Sequence, residues 1–170
     1  MKVKMTKVLS LVLVIVMLFV IPTFAAAQPD EYALYTANKD TQALRGAATF
    51  WDIASLGQYA ASFVGVKEFV NTRSYFKPNS SGRLSVKVVS SWKYHEDSSF
   101  NPGITIQIKS QSNNSVVKSY SFGSCVGTNK YSFTGLGSNT EYYVTVKMRS
   151  TESSGKNTIS GQIFVQHTAY

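Results

Sequence analysis

The sequence predicts an all-β domain, an antiparallel β-sandwich or jelly roll of about seven or eight strands, carried behind an N-terminal arm. Three observations predict it. Apolar and polar side chains alternate with period two through several segments after residue 58, clusters of Gly, Pro, Asn and Ser separate those segments, and no long helical pattern lies between them.

The chain opens with Lys2, Lys4 and Lys7, continues with an apolar run over 8–21 broken only by Ser10, and reaches Pro22 and then Ala25, Ala26 and Ala27. A basic start, a short apolar stretch and small residues are the three parts of a secretory signal, and the run is short for a membrane span. Residues 1–27 are therefore expected to be cleaved, and no later segment is apolar enough to cross a bilayer. The expected location of this bacterial protein is extracellular, either released or associated with the cell wall.

Residues 28–58 read as an arm. Its alanine-rich stretches suit a short helix, around 41–44 or 50–56, with Gly46 and Gly57 as interruptions. From residue 59 to 170 the strands begin. The clearest covers 84–94, with Leu84, Val86, Val88, Ser90, Trp92 and Tyr94 on one face and Arg83, Ser85, Lys87, Val89, Ser91 and Lys93 on the other. A helix would scatter these residues around its circumference. The alternation returns in Ile104, Ile106 and Ile108, and again in Tyr142, Val144, Val146 and Met148. Weaker strands are expected over 61–69, 73–77, 116–122, 131–134 and 162–167. Turn residues fall at 78–82, 101–103, 113–114, 135–139 and 153–155. Such short connections predict hairpins, because parallel strands need longer crossovers.

Two family resemblances accompany this pattern. Residues 131–146, a short strand, a turn containing Leu136 and then Thr140-Glu141-Tyr142, resemble the second half of a fibronectin type III domain, with Trp92 where that family carries a core tryptophan. Residues 74–88, in which Tyr75-Phe76 precedes a glycine turn and an alternating strand, resemble the opening of bacterial pre-peptidase C-terminal modules and related jelly rolls. Both resemblances imply a non-catalytic accessory fold of secreted proteins; neither implies a ligand.

Charge and chemistry narrow the function. Removing the three signal lysines leaves 14 Lys and Arg against 9 acids, a net charge of +5 over 28–170. That excess favours anionic surfaces, while no basic stretch has the concentration expected for nucleic acid. The single cysteine, Cys125, forms no internal disulfide and is expected to be a half-buried loop residue. His95-Glu96-Asp97 brings an imidazole beside two carboxylates, but adjacent loop residues rarely converge, and a solvated turn is expected there rather than a metal site or a catalytic one. Glycine loops for phosphate and Cys/His zinc spacings are absent from the sequence. Neither an enzyme nor a cofactor is expected.

Aromatic residues remain as binding candidates. Flat amphipathic rings suit both sugar faces and protein interfaces. Tyr143 falls on the polar face of its strand, Tyr94 ends its strand beside a loop, and Trp51 belongs to the arm, so these three are the expected ligand-binding residues. The function they predict is binding of a cell-wall or extracellular polysaccharide, or of an anionic wall polymer. A structural or protein-interaction role, as a matrix component or an antagonist of competing cells, is the alternative.

Overall fold

A computed structural model describes residues 49–94, 101–149 and 158–170. The expected signal, the arm up to residue 48 and the His95 loop lie outside them. Within them the chain forms β1 (Thr49–Phe50), α1 (Ile53–Leu56), β2 (Tyr59–Val66), β3 (Phe69–Asn71), β4 (Ser74–Tyr75), β5 (Leu84–Tyr94), β6 (Ile104–Ser110), β7 (Val116–Phe122), β8 (Gly127–Phe133), β9 (Tyr142–Met148) and β10 (Thr158–Gln166).

Period two becomes a dry interior. Leu84, Val86 and Val88 of β5, Ile104, Ile106 and Ile108 of β6, and Val144 of β9 are wholly buried, and Ile163 and Val165 of β10 join them. Each such side chain contributes about 1.5–3 kcal/mol relative to exposure, and together they hold two sheets face to face. Hydrogen bonding orders one sheet β2-β10-β5-β8 and the other β3-β9-β6-β7, with every described pairing in both antiparallel.

That order is a jelly roll, two Greek keys wound together. It corrects the expectation of hairpins. Only β6 and β7 are consecutive neighbours in one sheet; β2 to β3, β5 to β6, and every step from β7 to β10 change sheet. A short loop crosses the ~10 Å between sheets about as readily as it turns back within one. The winding also separates the two resemblances. In an immunoglobulin-like sandwich the last two strands pair side by side, whereas β9 and β10 lie in different sheets.

The arm's end closes one corner. β1 pairs in parallel with β4, and α1 follows as one turn capped by Asp52, whose Oδ1 accepts from Ala54 N at 3.1 Å and whose carboxylate also accepts from the Ser55 hydroxyl. The Ser55 bond is the main reason the Asp52 carboxyl sits below its ordinary pKa. Phe76 bridges to Tyr142, tying this corner to β9. Between β4 and β5, Asn79 Oδ1 accepts from Ser81 Oγ and Arg83 N, and Gly82 takes φ 70°. A side chain at Gly82 would run into the Leu136 carbonyl, and Leu136 N donates to Gly82 O at 3.0 Å. The Leu-containing turn thus docks on this glycine, burying Leu136.

Candidate functional site

The three expected ligand residues do not assemble into one site. Trp51 is half-buried: its Nε1 donates to Gly57 O at 3.1 Å, and its ring meets Tyr59 edge-on at 5.5 Å. Its polar handle is spent on holding the α1 corner. Tyr143 is only 3 % exposed, a correction to its placement on a solvated face. It does point outward, but β9 is an inner strand of its sheet, between β3 and β6, and the Tyr143 hydroxyl donates to Asn114 Oδ1 at 3.2 Å under the β6–β7 turn. Thr145 beside it is equally covered, donating to Asn71 Oδ1 at 2.7 Å. Tyr94 pairs through its backbone with Thr158, and its side chain lies outside the described residues, as do those of His95, Glu96 and Asp97. Among the described residues no group of three or more His, Cys, Asp or Glu could hold a metal ion.

A different surface gathers the polar and aromatic groups. On the outer face of the β2-β10-β5-β8 sheet, register aligns Ala60, Phe164, Lys87 and Lys130 across all four strands. The adjacent row is Ser62, Gln162, Val89 and Thr128; on the other side Gln166, Ser85 and Ser132 align. Lys87 Nζ lies 4.2 Å from the centre of the Phe164 ring and 5.6 Å from that of Tyr170, which holds the ammonium over two rings. The last residues fold back across this face. Tyr170 N donates to Ser132 Oγ at 3.3 Å, and Gln58 Nε2 donates to Tyr170 Oη at 3.0 Å and to Gln166 Oε1 at 2.6 Å. Burial raises the Tyr170 phenol above its ordinary pKa, with the Gln58 bond opposing it.

Phe164 was legible in the sequence: Ile163 and Val165 face inward, so the ring between them faces out. Lys87 and Lys130 are 43 positions apart in the sequence, and nothing local signals that they are neighbours.

Charge is distributed unevenly. The eight sandwich strands carry Lys87, Lys93, Lys109, Lys118, Lys130 and Lys147 and not one Asp or Glu. Over all described residues eleven Lys and Arg face three acidic side chains, those of Asp52, Glu68 and Glu141. Glu141 lies 3.9 Å from Lys77, and Asp52 caps α1. The sandwich is thus more basic than the chain as a whole, whose remaining acids lie in segments flanking or interrupting it.

Cys125 is fully buried rather than half-buried. Its backbone N donates to Asn101 Oδ1 at 3.2 Å, its carbonyl accepts from the Ser90 hydroxyl, and desolvation pushes its thiol pKa up. A thiol held protonated and dry is a poor nucleophile. Labelling of Cys125 by a maleimide or by Ellman's reagent should therefore be slow in buffer at pH 8 and complete in denaturant. Rapid stoichiometric labelling of the folded chain would contradict this burial.

Fold and surface together define a jelly-roll β-sandwich whose strands bear lysines without carboxylates. Comparison with protein-family models and with curated proteins yields no match to this chain.

Proposed function

We propose that the protein is an exported, non-catalytic binder of an anionic extracellular polymer, either a cell-wall polymer or an acidic polysaccharide. The observation that carries this reading is the set of six lysines on sandwich strands that hold no carboxylate. Lys87 and Lys130 are direct cross-strand partners, and like charges set opposite each other are relieved by an anion between them. An extended sheet surface rich in Ser, Thr and Gln matches an extended polymer in shape, and the secretory pattern of residues 1–27 would deliver the domain to such a polymer. Positive charge also speeds encounter with a polyanion.

Co-sedimentation with wall material containing polyol phosphate, with a polyuronate and with a neutral glucan tests it. Retention is expected on the first two at low salt, with release near about 1 M salt, where the screening length falls to about 3 Å. Equal retention on the neutral glucan, indifferent to salt, contradicts the reading.

A protein-interaction role has one observation in its favour. Val116, Val117, Tyr120 and Val126 are each 41–48 % exposed along or beside β7, an edge strand. The edge is nevertheless guarded: Lys118 pairs with core-facing Ile108, and a register shift interrupts the ladder between Ile108 and Lys109. Inward charges and bulges of this kind oppose strand addition. Size-exclusion chromatography should accordingly show a monomer, and a concentration-dependent dimer lost in Val117→Lys would favour the interaction role instead.

A further inference from the structure

We propose that one acidic group of the polymer is held between Lys87 and Lys130, with the adjoining sugar lying against the rings of Phe164 and Tyr170. This assignment rests on the polymer-binding reading and adds to it a place and a recognition chemistry.

Three features single out this spot. First, cross-strand partners have Cα atoms about 4.5–5.5 Å apart, so two lysine side chains leaving the same face can reach one phosphodiester or carboxylate. Second, the Lys87 ammonium rests over the Phe164 ring of β10, on the side of β5 away from Lys130, so an anion entering between the two lysines draws it off the ring and leaves that ring face to the sugar. Third, one row beside the pair offers the hydroxyls of Ser62 and Thr128 and the amide of Gln162, all exposed and suited to sugar hydroxyls.

The opposite sheet sets its lysines farther apart in register, although the Lys147 charge reaches Lys109 and, after burial, helps to lower its pKa. On its outer face Lys109 pairs with Tyr143 and Lys147 with Thr105, so these two lysines stand two rows farther along the sheet from each other than cross-strand partners do. The row between them holds Thr145 and Gln107, with Thr145 fully covered. The two faces therefore form an internal comparison of equal charge and unequal geometry.

The test measures binding of the full chain at low salt to polyglycerol phosphate, polygalacturonate, a neutral dextran, inorganic polyphosphate and a DNA duplex. Lys87→Gln combined with Lys130→Gln should weaken polyglycerol phosphate or polygalacturonate more than tenfold, and Lys130→Gln alone about fivefold, since Lys130 is exposed. Lys109→Gln combined with Lys147→Gln should change either by less than about twofold. Whichever of the two polymers binds more tightly identifies the acidic group as phosphate or carboxylate. Tyr170→Ala should weaken the sugar-bearing polymer about threefold and leave polyphosphate unchanged.

Equal losses from the two double variants overturn this site while the polymer-binding reading stands. Absence of wild-type binding to every polyanion overturns that reading and the site with it. DNA bound as tightly as the better glycopolymer, and lost in the same variants, overturns the assignment to a sugar chain. An equal effect of Tyr170→Ala on polyphosphate overturns the role of the ring.

Discussion

Gly161→Ala is expected to destabilise the domain by about 3 kcal/mol or more, visible as a large fall in the urea midpoint. Gly161 lies in β10, an inner strand, opposite Ser90 of β5 and Phe63 of β2, beside a register shift between Ile159 and Gly161. A Cβ there would enter the Val89 carbonyl oxygen and lie 2.8 Å from the Ser90 Cα. Both obstacles are backbone, so no rotamer change relieves them. Relief requires β5 and β10 to separate, and the displacement travels further because the Ser90 hydroxyl holds the Cys125 carbonyl. Gly123→Ala is the control: its Cβ would meet nothing within 4 Å, and the change should stay within about 0.5 kcal/mol. An unaltered midpoint for Gly161→Ala would show that β5 and β10 are not packed this closely.

Phe76→Ala is expected to cost about 3–5 kcal/mol, because a fully buried ring leaves a cavity its neighbours cannot close. Phe76 N donates to Tyr142 O at 2.7 Å and Tyr142 N returns a bond to Phe76 O at 2.9 Å, so the backbone is fixed and cannot slide into the space. Its ring meets Tyr59 edge-on at 5.0 Å, and Tyr59 in turn meets Trp51. Loss of the ring should therefore loosen the corner built from β1, α1 and β4, with a shift in tryptophan fluorescence before global unfolding. Phe50→Ala, at a ring 40 % exposed, should cost much less. Equal costs at the two positions would place the core elsewhere.

Much of the fold was legible because the strand pleat is a local property. The three isoleucines of β6 and the alternating face of β5 name their inward residues without reference to any other segment. The expected strand over 61–69 shows where that reading stops: it divides into β2 and β3, which belong to opposite sheets. Both pieces alternate, so the pattern continues through the corner that separates them. The arm behaved similarly, since 50–56 was one of two positions suited to a helix, and four of its residues form α1 behind the Asp52 cap. The binding candidates were less legible. Trp51 and Tyr143 fall outside the core that alternation predicts, yet each spends its polar atom on an internal hydrogen bond.

By itself the sequence determined which residues turn inward, that extended chain would predominate, and that positive charge would exceed negative. The tertiary structure alone decided the sorting of strands into sheets, the covering of Tyr143 and Thr145, the pairing of Lys87 with Lys130, and the placing of the Lys87 ammonium over Phe164 and Tyr170. The reason is the range of the forces involved. Alternation follows from the geometry of successive residues, whereas register and the choice of inner strand follow from pairing between segments far apart in the chain, where every strand competes for the same partners.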